Sequence, residues 1–144
     1  MILADEEATA RLGAALARVA KAGDVIVLSG PLGVGKTALA RGFIAALGHS
    51  DEVPSPSFAL VQPYEELDPP VWHVDLYRVE KASEIDELGL DSAAEAVLLI
   101  EWPERAGEGS WPEALRLSLA FGPDGARNLT AQVPPAWEGR WPPQ

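Results

Sequence analysis

Residues 30–37 read GPLGVGKT, a match at every fixed position to the phosphate-loop pattern G-x-x-x-x-G-K-[ST], and they directly follow the apolar run Val25, Ile26, Val27, Leu28. Gly30, Gly33 and Gly35 allow a tight backbone turn that aims successive N–H groups at an anion. The helix that follows adds the positive end of its dipole at the same point. A nucleoside phosphate is the natural occupant. In such a loop the lysine, here Lys36, reaches the β and γ phosphates, and the hydroxyl of Thr37 takes one position on a magnesium ion. A chance match in a chain this long is roughly one in two hundred from average residue usage. The context agrees with the motif. A β-branched strand precedes the loop, and behind it Leu39, Phe43 and Leu47 recur at spacing four until Gly48 stops the helix.

Size limits what can accompany this loop. A chain of 144 residues fits one domain and leaves no room for a separate substrate domain. With 47% hydrophobic and 23% charged residues, it has the composition of a globular protein and not of a disordered one. No apolar run approaches the roughly eighteen residues of a membrane span. The start MILADEEATA lacks the basic and apolar regions of a signal peptide, so the expected location is cytoplasmic, with no membrane partner. The absence of cysteine removes disulfides and thiol chemistry. A net charge of −11 leaves no broad cationic surface for tracking a nucleic-acid backbone, which argues against DNA as a partner and against tight RNA binding by this chain alone. Of only three lysines, Lys21, Lys36 and Lys81, one sits where phosphate chemistry needs it.

Along the chain, Leu12, Leu16 and Val19 predict an amphipathic packing helix over residues 6–20. Two strand-like runs, Ser57–Tyr64 and Val71–Tyr77, flank the turn-rich EELDPP and predict a hairpin. Ser83 followed by Asp86 resembles a helix start, with Gly89 as its stop. Ala96–Glu101 (AVLLIE) has the profile of a strand buried on both faces. Leu115–Phe121 and Asn128–Val133, on either side of GPDGA, predict a C-terminal hairpin. The fold class expected is α/β, a single-domain P-loop NTPase with a mixed central sheet flanked by helices. The domain would span residues 1–135, with residues 136–144 as a flexible tail.

Strands of phosphate-loop enzymes deliver acidic side chains at their C-terminal ends, where they hold magnesium or orient water. Glu101 and Asp75 are the two that fit, and magnesium prefers such oxygen ligands. SPSF at residues 55–58 could fold over the γ phosphate as a switch, although alone it is only a turn. His73, alternating with Asp75 and Tyr77, reads better as a packed or hydrogen-bonded imidazole than as a catalytic one. His49 is expected at a helix terminus, Arg78 in a salt bridge or on a phosphate, and Trp102 either stacked on the nucleotide or a partner or packed in the core.

GPLGVGKT, SPSF, HVDLYR and IEWPE, in that order and at these separations, resemble the TsaE family, and RGF and ALGH behind the loop agree. The resemblance covers about residues 5–133 and is carried most specifically by DLYR with IEWP. It implies a small ATPase using ATP and Mg²⁺, slow alone, that works with the TsaB and TsaD proteins in making threonylcarbamoyladenosine in tRNA. The modification chemistry would belong to TsaD, and tRNA would be met only through the complex. By position it implies Lys36, Asp75 and Glu101 as catalytic residues and Thr37, Asp75 and Glu101 around the metal. Nucleotide contacts would come from Pro31, Leu32, Gly33, Val34, Gly35, Lys36, Thr37, Ala38, Ser57 and Trp102. Pro31 and Val34 depart from the family's GDLGAGKT, and Ser57 from its SPTF, the last retaining a hydroxyl. A small-molecule kinase is the rival enzyme, and a nucleotide-binding scaffold without hydrolysis stays open. A GTPase would show an NKxD-type string, which is absent.

Overall fold

Val25–Ser29 (β2) lies at the heart of a seven-stranded sheet because its side chains are apolar on both faces. In the computed structural model, which describes residues 1–50, 53–54, 60–107 and 109–143, the chain runs in order through ten principal elements. They are β1 (Ile2–Leu3), α1 (Glu6–Val19), β2, α2 (Lys36–Ala46), β3 (Val61–Tyr64), β4 (Val71–Asp75), α3 (Ser83–Asp86), β5 (Val97–Glu101), β6 (Leu115–Phe121) and β7 (Arg127–Gln132). The sheet order is β1-β7-β6-β2-β5-β4-β3. The inner strands β6, β2, β5 and β4 are parallel, while β3, β7 and β1 pair antiparallel at the margins. This is the expected mixed sheet of an α/β fold. Pro63 is accommodated because β3 is an edge strand. No helix among the described residues is long and apolar enough to cross a membrane.

Registers decide where the chemistry lands. Leu28 and Asp75 both pair with Glu101 across parallel ladders, so the ends of β2, β4 and β5 come level. Asp75 also ends its own strand. Its carboxylate accepts the N–H of Tyr77 at 2.9 Å, an Asx-type turn that stops β4 two residues short of the predicted Tyr77.

One face of the sheet is covered by α1 and α2, which cross so closely that a Cβ on Gly13 would stand 2.0 Å from the carbonyl oxygen of Leu39. Asp5 caps α1 by accepting the Ala8 N–H at 2.8 Å. Leu16, Leu39, Phe43 and Ile44 are fully buried beneath these helices. The other face holds a smaller core around Val27, Val74, Leu98 and Ile100, covered by α3 and connecting segments.

Two expectations need correction. The final segment packs against the fold instead of hanging loose. Trp137 is fully buried, and Arg140 pairs with Asp24 at 2.7 and 3.1 Å, bonds the Val19 carbonyl and lies over the Trp137 ring. The prolines that suggested looseness bracket a large apolar side chain whose burial anchors the segment. The short helix does start at Ser83, but Ser83 does not cap it. Ala82 occupies the cap of α3 without a side-chain bond, and Glu84 reaches back to the Glu80 N–H at 3.1 Å. SPSF and the start of the Ser57–Tyr64 run, Ser57 included, lie outside the described residues.

Candidate nucleotide site

The loop leaves the end of β2 and enters α2 at Lys36, with Gly30, Gly33 and Gly35 all at positive φ. At Gly30 the requirement is doubled, because a Cβ there would stand 2.5 Å from the Leu119 carbonyl oxygen of the neighbouring strand. The result is a concave run of backbone N–H groups at a helix N-terminus, an arrangement that binds anions. The cleft in front of it has a volume of about 230 Å³. Leu32, Gly33, Gly35, Lys36, Thr37 and Ala38 line it from the loop and α2, and Asp75, Glu101 and Trp102 from the strand ends. Lys36, Thr37, Asp75, Glu101 and Trp102, all singled out from sequence, therefore converge here.

Lys36 is 3% exposed and folds over its own loop. Its ammonium donates to the Gly30 carbonyl and stands 3.4 Å from the centroid of the Trp102 ring. Burial holds its pKa below the ordinary lysine value, against the opposing pull of Glu101, Glu104 and Asp75. An ammonium desolvated in this way favours an approaching anion. Trp102 presents its ring from a left-handed backbone position, φ 60, just past β5, and it also contacts Tyr77 at 4.9 Å between centroids.

The Thr37 hydroxyl lies 3.1 and 3.0 Å from the two carboxylate oxygens of Glu101. On the opposite side, Nε2 of His73 lies 2.7 Å from Glu101 Oε2. Glu101 and Asp75 are 3% and 4% exposed, so both carboxylates are held inside the protein at the cleft wall. Among the described residues no group of three or more His, Cys, Asp or Glu forms a protein-only metal cage. A hydroxyl beside a carboxylate does fit magnesium, which keeps waters and takes substrate phosphates as its remaining ligands.

Several predicted residues stand elsewhere. Val34 turns its fully buried side chain into the core, and Pro31 supports the loop by accepting the Val34 N–H at 3.2 Å. His49 stands at the C-terminal end of α2 as expected, 3.3 Å from Glu66 and against the edge of Tyr64, and Arg78 is not part of the cleft lining. Conversely, sequence reading passed over four residues at the loop. Glu6 and Arg41 line the cleft. Arg127 donates to the Val34 carbonyl at 2.8 Å, and with Thr9 and Glu6 it walls a second cavity of about 140 Å³ behind the loop. The predicted packing helix α1 thus also borders the site. A larger cavity of about 500 Å³ lies on the other face of the sheet, among Ile85, Leu90 and Trp111, away from this chemistry.

Comparison with known proteins agrees with this geometry. The family model described as "Threonylcarbamoyl adenosine biosynthesis protein TsaE" matches residues 3–129. A curated tRNA threonylcarbamoyladenosine biosynthesis protein TsaE from Bacillus subtilis is 38% identical over 88% of this chain and 78% of its own. The one from Streptomyces coelicolor is 40% identical over 75% and 76%, and the one from Nostoc 36% identical over 94% and 85%. The crystal structure of Bacillus subtilis YdiB superposes with a TM-score of 0.80 at 30% identity, covering 96% of this chain and 88% of that one. A family model over residues 3–129 and curated relatives at 36–40% identity together place the chain in the TsaE family, which serves the biosynthesis of threonylcarbamoyladenosine in tRNA.

Proposed function

We propose that this protein binds ATP with magnesium at the loop, hydrolyses it slowly on its own, and uses it together with TsaB and TsaD to support threonylcarbamoyladenosine formation in tRNA. The observation that carries the reading is the contact of Thr37 with Glu101 within the lining that also includes Lys36. The loop N–H groups would take the β phosphate, and Lys36 would exchange the Gly30 carbonyl and Trp102 ring for phosphate oxygens. Thr37 and Glu101 would hold magnesium, which neutralises phosphate charge when bound. Asp75, level with Glu101, is placed to complete the metal's water shell or orient the attacking water. The cavity bounded by Thr9 and Arg127 adjoins Gly33 and Gly35, and the nucleoside end is assigned to this side of the loop.

TsaB and TsaD enter through the family, and a charge of −11 agrees with tRNA being met through such a complex. Membership of this family favours the ATPase reading over the small-molecule kinase. The test is calorimetric binding of ATP with and without magnesium, then hydrolysis alone and with TsaB, TsaD and tRNA. We expect a low basal rate that the partners raise, lost in Lys36→Ala along with tRNA modification. A wild-type protein that binds no ATP, or modification indifferent to Lys36→Ala, would overturn the reading.

A further inference from the structure

His73 occupies a position on β4 where an apolar residue would be the ordinary choice. It is fully buried, its strand neighbours Val71 and Val74 are fully buried core residues, and it pairs in register with Leu99. Among the described residues, one ring nitrogen, Nδ1, is buried without a hydrogen-bond partner. Such an orphan is a standing cost that needs a reason. The reason lies at the other nitrogen, 2.7 Å from Oε2 of Glu101, which is itself almost wholly buried. A carboxylate can only accept, so the proton between them sits on Nε2. An unpaired Nδ1 is tolerable as a bare acceptor and would be worse as a buried donor, so the hydrogen-bond geometry places the ring hydrogen on Nε2.

We propose that His73 is a positioning residue whose Nε2–H fixes the Glu101 carboxylate for metal and nucleotide. The carboxylate is gripped from two sides, by His73 on the sheet and by the Thr37 hydroxyl on α2. Thr37 stands in the first turn of α2, directly behind the loop that would receive the nucleotide. His73 belongs to β4, between β5 and β3, and is held by the sheet. The sheet-side bond therefore keeps the carboxylate plane constant whether or not the helix-side hydroxyl is engaged. Outer partners of metal-binding groups act in this way and typically matter by about 10- to 100-fold in metal affinity or activity.

The inference rests on the reading of Glu101 as a metal-holding group, and its test separates the two. Nitrogen-15 NMR of the imidazole in the full-length, nucleotide-free protein should show Nε2 protonated and Nδ1 bare, with the Nε2 signal displaced in Glu101→Gln. The opposite tautomer, or a ring indifferent to Glu101→Gln, overturns the proposal whatever the protein binds. Next come ATP titrations in EDTA and in magnesium for wild type, His73→Leu and His73→Gln, whose amide nitrogen can stand where Nε2 does. The affinity gained by adding magnesium should fall about 10- to 100-fold in His73→Leu. Affinity in EDTA should hold, and His73→Gln should recover most of the loss. An unchanged magnesium effect in His73→Leu, or no recovery in His73→Gln, sinks the positioning role. Wild type without nucleotide affinity would instead strike the proposed function, and the NMR result would still decide the His73–Glu101 bond.

Discussion

The two faces of the central sheet are built to different standards. On one, α1 and α2 approach to backbone contact at Gly13 and Gly42, and Leu16, Leu39, Phe43, Ile44 and Trp137 have no exposed surface. On the other, the cover consists of the four-residue α3, which fully buries none of its own residues, and connecting segments; Ile85 of α3 and Leu90 and Trp111 of those segments are only half buried beside the cavity of about 500 Å³. Thr37, Glu101, His73 and the loop all belong with the first face. Val71 and Leu99, two residues before His73 and Glu101 on the same strand faces, lie in its core. Catalytic geometry demands side chains locked by packing, and the close-packed face supplies that, while the loosely covered face is freer to rearrange.

The sharpest way to break this contrast is to remove the plug of the packed face. Trp137→Ala should cost about 3–5 kcal/mol, read as a lower urea midpoint with little change in slope. Next is Gly42→Ala, whose new Cβ would stand 2.1 Å from the Ala10 carbonyl oxygen. Because the obstacle is backbone that no rotamer change can relieve, the cost should reach or exceed about 3 kcal/mol, the upper end of ordinary overpacking. On the open face, Ile85→Ala should cost about 1 kcal/mol or less in the same measurement, since the side chain is already half in water. Equal losses at Trp137 and Ile85 would abolish the distinction between the faces.

The smallest effect concerns Lys36, whose charged form burial disfavours. The folded-state pKa of Lys36 is lowered below its unfolded value, so the unfolded chain binds the proton more readily. The penalty is fully present at neutral pH and is relieved as pH rises through the folded value towards 10.5. Lys36→Met should therefore be at least as stable as wild type at neutral pH, lack that relief on raising the pH, and fail to bind ATP. Urea midpoints across this range, paired with calorimetry, check all three. A Met variant less stable at neutral pH would show that the Gly30 and Trp102 contacts outweigh desolvation.

Most of the fold was legible because its signals were local. The run before the loop, spacing four in α2, the continuous apolar stretch of β5 and the turn between β6 and β7 each named their element, with ends off by a residue or two. Misreadings arose where one residue has two uses. Asp75 reads as an acid within a longer strand but also turns the chain, and the prolines around Trp137 read as a loose tail while they frame an anchor. At the site, the motifs brought Lys36, Thr37, Asp75, Glu101 and Trp102 to one cleft. Arg127 escaped notice because its partner Val34 is 93 residues away, a contact that leaves no periodicity or spacing to read. Thr9 and Glu6 were hidden by the ordinary pattern of the helix that carries them.

The ladders of β2 have a kinetic consequence. Ile26 finds its partners at Leu99 and Leu115, so the strand that launches the loop is stitched only to segments far along the chain. Contacts of such separation bear a large loop-closure entropy and form slowly compared with helices. The curved shape of the loop depends on that strand and on Leu119 behind Gly30, so it can appear only when β5 and β6 have docked. In a refolding experiment the ability to bind nucleotide should return with the last phase of the fluorescence signal, later than the helical signal of α1 and α2.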